Sequence, residues 1–563
     1  MRLGETQCAR SHRGTLFGKN HLNSAEILWH GSGPLIAKAL MRPAMLPRQQ
    51  LGKPMLAKIF SASVIGVQAR TVDVECDVSP GIPSFDTVGL PEMSVREARV
   101  RVRSAIRHSG LPFPFTRVTV NLAPADLRKE GTSFDLPVAL AVLIAQGVLA
   151  QDVLTGWMVI GELSLDGAVR PVCGTLAVAE LARELGLNGL ICAADNVAEA
   201  RAVHGVEIRA AQTIADLVAC LRGTMPWPDI IDRAPYRAMR APMCWSDVRG
   251  HAAAKRALEV AAAGGHNLVM TGVPGTGKTM LARRLPTILP PLSQDEAIEV
   301  TKIHSVAGLL PRGTGLLSER PFRAPHHTVS AAALIGGGSN PKPGEVSLAH
   351  RGVLFLDEFA EFPRNVLETL RQPIEDGNAT VTRARLVATF PACPMLVAAL
   401  NPCPCGYLGA TNKPCVCGHA QIERYRGRLS GPLLDRIDIQ IRLQAVSPAM
   451  LRHAPPSETS GVVQARVCRA REVQTLRYQY LGGGTNANVP MSALRVHSPL
   501  AASVHDLLQT AMERFGLSAR AHDKIWRVAR TLADLTESQE IGAEHIGEAL
   551  QYRHFDEQVN QAA

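Results

Sequence analysis

The 563-residue sequence predicts a multidomain α/β protein with an α+β N-terminal domain, a P-loop core built on a parallel sheet, and a small C-terminal helical lid. Three observations carry this reading. The stretch GVPGTGKT (272–279) follows the apolar run Asn267-Leu268-Val269-Met270 and precedes the helical-looking MLARRLPTIL. That is the strand, glycine loop and helix order of a phosphate-binding loop. Residues 55–225 mix strand and helix periods, whereas the chain beyond 446 keeps only the helical one. The length also exceeds what a single core ordinarily serves.

Charge and cysteine usage narrow the class. The formal charge of +10 is modest for the size, but arginines cluster in the second half, which points to a polyanion partner. The most apolar segment, 136–150, contains Pro137, Gln146 and Gly147 and is too short to cross a membrane, so no membrane partner is expected. The N-terminus lacks a continuous apolar stretch of the secretory kind. Of twelve cysteines, four crowd into 403–417, which fits a metal site in a reducing, cytoplasmic compartment better than a disulfide framework.

Taken in order, residues 1–54 are basic, low in acids and without a clear period, and read as a disordered extension. Met55 opens the first strand-like alternation, so an upstream start site is one explanation; a DNA-binding tail or a targeting peptide is the other. Residues 55–225 are expected to hold strands at 64–67, 72–78, 117–122 and 158–161, with helices at 94–109, 135–146 and 176–185. Residues 226–245 carry four prolines and no stable period, a linker. Ser246 and Asp247 can then cap a helix running through Ala263.

The core of 246–445 carries the chemistry. Gly272, Val273, Pro274, Gly275, Thr276, Gly277, Lys278 and Thr279 form the expected ATP cradle. Its glycines clear the way for backbone N–H groups to close on a phosphate, Lys278 reaches the outer phosphates and Thr279 ligates Mg²⁺. The run GVLFLDE (352–358) reads as a buried parallel strand ending in two acids, a Walker B segment. Asp357 is expected to hold Mg²⁺ through water and Glu358 to polarise the attacking water. Asn401 ends the apolar strand 395–400 and can orient that water or touch the γ-phosphate. In SGPLLDRIDIQIRL (430–443), Arg436 is placed to reach the nucleotide of an adjacent subunit, which predicts a ring; a surface ion pair with Asp435 or Asp438 is the rival. Arg520, at the start of a helix through Asp534, could fold back onto the phosphates.

Other residues suggest partners. ATVTRARLVAT (379–389) reads as a hairpin with Arg383 and Arg385 near its turn, able to meet DNA phosphates in a pore. A second basic run holds Arg424, Arg426 and Arg428. Few aromatics interleave these arginines, so sequence-tolerant, salt-sensitive binding of single-stranded or branched DNA is expected. Cys403, Cys405, Cys415 and Cys417 give two C-x-C pairs nine residues apart, able to hold a structural Zn²⁺ in a tetrahedron; four reduced thiols are the rival. His326 and His327 have no further ligands nearby in sequence and read as structural or subunit-contact residues. Beyond 446, helices are expected at 461–480, 499–514, 518–534 and 543–552, forming the lid.

Together these motifs resemble an AAA+ ATPase of the Mg-chelatase and MCM-helicase branch, with Asn401 as sensor 1, Arg436 as arginine finger and Arg520 as sensor 2. The strings RPFRAPHHTVSAAALIGGG (320–338), LAHRGVLFLDE (348–358) and RGRLSGPLLDRIDI (426–439) are similar to the ComM (YifB-like) proteins. That resemblance implies a hexameric DNA motor promoting branch migration in recombination and natural transformation. The shared branch leaves a chelatase motor subunit, inserting Mg²⁺ into a porphyrin, as the alternative. KEGTSFDLPVALAVL (129–143) and GELSLDGAVRPV (161–172) resemble the Lon-protease domain and its relative in the RadA recombination protein. Ser133 falls at the peptidase serine, but Leu176 stands where the lysine belongs, so a non-proteolytic scaffold is expected.

Overall fold

The computed structural model describes residues 56–90, 92–127, 129, 131–229, 243–338, 340–383, 386–410, 413–429, 431–445 and 457–553. The expected 1–54 extension, most of the 226–245 linker and Arg385 lie outside these residues.

The N-terminal part is a seven-stranded sheet in the order Ser84–Val88, Arg117–Ala123, Gln68–Ser79, Ala57–Ile65, Trp157–Val159, Gly189–Ala193, Glu207–Ala211. Ala57–Ile65 and Gln68–Ser79 form an antiparallel hairpin with Ile65 opposite Gln68. The strand expected at 64–67 therefore ends earlier: Gly66 adopts φ +62° and turns the chain. GLICA (189–193) is a further strand that alternation could not reveal, because all five residues are buried. The apolar segment near 136–150 becomes the helix Asp135–Ala145, buried from Asp135 through Ile144. Its buried Asp135 is met by Arg101, whose Nε and Nη2 donate over 2.6 and 2.9 Å. Among the described residues no helix is long and apolar enough to cross a membrane.

A five-stranded parallel sheet forms the P-loop core, ordered Phe322–Arg323, Val353–Leu356, Met395–Leu400, Leu268–Gly272, Ile439–Leu443. The strand carrying Asn401 at its end thus lies between the two Walker strands. The helix expected from Ser246 begins only at Ala252. Gly250 (φ +69°) and His251 (φ +56°) break the chain there, and Trp245–Asp247 makes a single 3₁₀ turn instead.

The C-terminal helices are Ser460–Arg477, Met491–His497, Ala502–Phe515, Ala519–Leu535 and Ala543–Gln551. Met491–His497 is an addition to the expected set. These helices are not a loose appendage: Val463, Trp526 and Ile546 share one buried cluster with Leu268, Met270, Val353 and Ile439 of the sheet. A polar junction fixes the same contact. Asp438, at the foot of the last strand, is held by His266 Nδ1 (3.1 Å) and by Lys524, while His266 Nε2 meets Thr531 (2.8 Å).

Burial alone would raise the Asp438 carboxyl, but Lys524 and His266 outweigh it and hold the group well below the usual carboxylate range. Burial pushes the His266 imidazole below its ordinary value, opposed by Asp438. Both folded values are depressed, so both groups contribute stability at neutral pH that is lost on acidification. The loss begins below about 6.5 for His266 and below about 3.9 for Asp438, their unfolded values. Removing Lys524 strands a buried charge, and Lys524→Met is expected to destabilise this unit by about 3–5 kcal/mol. Urea denaturation checks this, and an unchanged midpoint would refute it.

The N-terminal sheet and the P-loop core meet through polar groups as well. Buried Glu199 accepts from Leu176 N–H (2.9 Å) and bonds Ser305, whose Oγ accepts from Gly174 N–H (2.9 Å).

Candidate nucleotide-binding site

Three neighbouring parallel strands deliver the site at their C-terminal ends, where loops leave an open α/β sheet. The first strand ends in Gly272 and the loop reaches the helix Lys278–Arg284. Gly275 and Gly277 adopt φ +81° and +82°, which a side chain would strain, and a Cβ on Gly275 would meet open space. The cradle is therefore shaped by backbone and open on one side.

Lys278 is buried and its Nζ donates to Gly272 O (2.6 Å), Val273 O (3.2 Å) and Asn401 Oδ1 (3.1 Å). Burial pushes its ammonium below the ordinary value, countered by Asp357 and Glu358. An anionic phosphate there would offset that burial. Thr279 Oγ1 donates to Asp357 Oδ2 at 2.7 Å, bringing together the hydroxyl and carboxylate expected to hold Mg²⁺. The donor set of one hydroxyl, one carboxylate and open space suits a hard cation that keeps several waters. The residues thus fit ATP and Mg²⁺.

Glu358 follows on a turn in the left-handed region (φ +52°), rare for a residue with a side chain. Such an outlier persists only where its surroundings impose it. Here the Glu358 N–H donates to Asp357 Oδ1 (3.0 Å), and the half-exposed carboxylate meets His327 Nδ1 at 3.1 Å. His327, expected to be a structural or subunit-contact residue, is thereby placed beside the carboxylate expected to polarise the attacking water. Only its pairing with His326 was visible in sequence.

Arg436 is expected at a neighbouring subunit's nucleotide, and only Arg520 at the phosphates of its own chain. Arg436 pairs with Glu375 rather than with Asp435 or Asp438. Arg520 pairs with Asp435 Oδ2 at 3.3 Å, so it is not folded back onto the P-loop residues. The outer end of this C-terminal helix is tied to the loop before the last strand, and that ion pair has taken the guanidinium.

The cysteine expectation is met in space. Cys403, Cys405, Cys415 and Cys417 bring their sulfurs within 4.8 Å of one another. All the described cysteines are free.

Of the basic residues, Arg383 ends the strand Asn378–Arg383 at the hairpin turn. Arg424 and Arg426 are exposed on the helix His419–Arg426. Arg428 is engaged, with Nη1 on Glu361 at 2.7 Å. A stronger basic face was missed. On the helix Met93–His108, Arg96, Arg99, Arg103 and Arg107 are exposed, and at this spacing they share one side over about 16 Å. None of the four forms an ion pair among the described residues. Arg103 and Arg107 lie 5.8 Å from the Phe113 ring, and Arg107 lies 5.4 Å from exposed Phe115. The three-and-four spacing in REARVRVRSAIR was the available signal.

Ser133 lines a cavity of about 310 Å³ together with Thr132, Glu162, Cys173 and Lys342. Leu176, where the Lon resemblance places a lysine, is fully buried.

Fold and site define a Mg-chelatase-type AAA+ ATPase core. Three segments match family models: 244–451 to "Magnesium chelatase, subunit ChlI", 74–196 to "Subunit ChlI of Mg-chelatase", and 457–553 to "Magnesium chelatase, subunit ChlI C-terminal". The chain is 43% identical to the competence protein ComM of Haemophilus influenzae, covering 88% of this chain and 97% of ComM. It is 42% identical to the uncharacterized protein YifB of Escherichia coli, over 89% and 97%, and 44% identical to an uncharacterized protein of Mycobacterium tuberculosis, over 88% and 98%. The chain belongs to the ComM/YifB-like family of Mg-chelatase-branch proteins.

Proposed function

We propose that this protein is an ATP-driven DNA motor, assembled as a homo-hexamer, that promotes branch migration during recombination and natural transformation. The observation that carries the ATPase half is the convergence of Lys278, Thr279, Asp357, Glu358 and Asn401 at the ends of three adjacent strands. The name and similarity of ComM support the link to transformation.

Bound ATP with Mg²⁺ would supply the phosphoanhydride bond and a neutralising cation. Lys278 binds the outer phosphates, and Asn401, already on its ammonium, orients the attacking water. Thr279 and Asp357 would hold the cation. Glu358 takes the water's proton, with His327 holding its carboxylate in place.

The exposed arginines of the helix Met93–His108 favour a polyanion, and the neighbouring Phe115 offers a ring on which an unpaired base can stack. Replacing Arg99, Arg103 and Arg107 together by Ala is expected to weaken DNA binding evenly across sequences. The salt slope should fall by about 2 to 3, since each phosphate that an arginine ceases to neutralise lowers it by about 0.7–0.9. Fluorescence anisotropy with labelled oligonucleotides at several salt concentrations measures it; an unaltered slope would remove this face from the DNA path.

A chelatase motor subunit remains the second reading. The N-terminal domain matches a ChlI family model and does not separate the two. ATPase rate with and without forked DNA does. Stimulation by DNA, with rings visible by electron microscopy, supports the motor; indifference to DNA with a response to porphyrin supports the chelatase.

A further inference from the structure

The four clustered cysteines sit against the nucleotide site, and this placement goes beyond what their spacing announced. Cys403 follows Asn401 by two residues and is fully buried. Gly406 turns the chain at φ +84°, its N–H donating to Cys403 O over 2.9 Å. A Cβ on Gly406 would lie 2.8 Å from Pro274 Cγ and 2.9 Å from Cδ, and 4.0 Å from Asn401 Cγ. The cysteine loop is therefore seated directly on the P-loop, with no room between them.

The sulfurs have the arrangement of a tetrathiolate ligand set. Cys403 lies 3.4 Å from Cys405 and 3.6 Å from Cys415, and Cys405 lies 3.5 Å from Cys415. A disulfide would bring two sulfurs to about 2.0 Å. A tetrahedral Zn²⁺ with bonds of about 2.3 Å places its sulfurs about 3.8 Å apart. Backbone N–H groups already point at two of them: Cys405 N to Cys417 Sγ at 3.4 Å, and Cys417 N to Cys415 Sγ at 3.5 Å. Such donors stabilise thiolate sulfur and orient it, as ligand-supporting groups around metals do.

We propose that Cys403, Cys405, Cys415 and Cys417 bind one Zn²⁺, and that this metal keeps Asn401 and the P-loop in the geometry that ATP hydrolysis requires. The metal closes the 403–417 loop. The closed loop anchors Asn401 through two peptide units and walls Pro274 through Gly406. Without the metal, weak N–H···S and S···S contacts are what join the four cysteines, and Asn401 is tethered to a loosely closed loop. These cysteines are positioning residues for hydrolysis, not catalytic ones, and the coupling half of the proposal rests on the ATPase reading above.

The test uses the full-length protein. Metal analysis is expected to find one zinc per chain, and Co²⁺ reconstitution should give the charge-transfer bands of four thiolate ligands. Cys415→Ser with Cys417→Ser should lose the zinc and lower kcat about 10-fold or more, since a displacement near 1 Å can cost up to about 100-fold. Affinity for a fluorescent ATP analogue should change far less. Gly406→Ala should keep its zinc yet lose rate, because the contact with Pro274 is disturbed while the ligands remain. Should the double variant fail to fold, chelator-stripped unsubstituted protein replaces it, with rate expected to return on adding Zn²⁺. Absence of zinc together with absence of the cobalt bands overturns the site. Zinc bound, with kcat unaffected by its removal, overturns the coupling. Zinc bound in a protein that hydrolyses no ATP upholds the metal site and overturns the ATPase reading instead.

Discussion

Replacing Glu358 by Gln is expected to leave ATP binding intact while slowing hydrolysis by about 10²–10⁴-fold, the usual contribution of a positioned general base. The geometry separates the two effects. Nucleotide affinity depends on Lys278, held by two loop carbonyls and Asn401, and on the Thr279–Asp357 pair. None of these contacts uses the Glu358 side chain. Its carboxylate stands on a left-handed turn and meets His327. Glutamine keeps the shape and a hydrogen bond to His327 but cannot accept a proton from water. His327→Ala should reproduce part of the defect, because the base remains but is no longer held. Single-turnover phosphate release beside equilibrium binding of an ATP analogue tests both. Near-normal release by the Glu358→Gln protein would reject the assignment.

Replacing Arg436 by Ala is expected to lower kcat by about 10³-fold or more, the range measured for arginine fingers. Within the chain Arg436 pairs with half-exposed Glu375. The finger role requires the guanidinium to exchange this contact for a phosphate of a neighbouring subunit, and an exposed carboxylate is the weaker anion of the two. The decisive measurement mixes subunits. Arg436→Ala protein has an intact cradle but supplies no finger, whereas Lys278→Ala protein supplies a finger but has no working cradle. Rings containing both should regain part of the activity at junctions where an intact cradle faces an intact arginine. No recovery in rings verified to be mixed would leave Arg436 as a surface ion-pair residue.

The motifs that were legible from residues alone are those whose function is local. GVPGTGKT announces its own loop, and GVLFLDE its own strand end, because a few consecutive residues suffice for the task. The buried strand 395–400 and the helices after 460, Met491–His497 excepted, were visible in apolar runs and helical periods. Elements were missed where burial on all sides removes alternation, as in GLICA. They were misplaced where one backbone angle ends an otherwise continuous pattern, as at Gly66 and His251. His327 could not be assigned from sequence, since its partner Glu358 is brought to it only by the parallel pairing of Phe322–Arg323 with Val353–Leu356.

By itself, the sequence determined that a triphosphate-binding loop, a pair of strand-end acids and four close cysteines exist in one chain, since each is a pattern of neighbours. The tertiary structure alone decided which of them touch. It set Asn401 on Lys278, His327 on Glu358 and the cysteine loop on Pro274, and it gave Arg520 to Asp435. The reason is physical: hydrogen bonds and contacts act over a few ångströms, and the distances between residues far apart in the chain are set by how the sheet orders its strands.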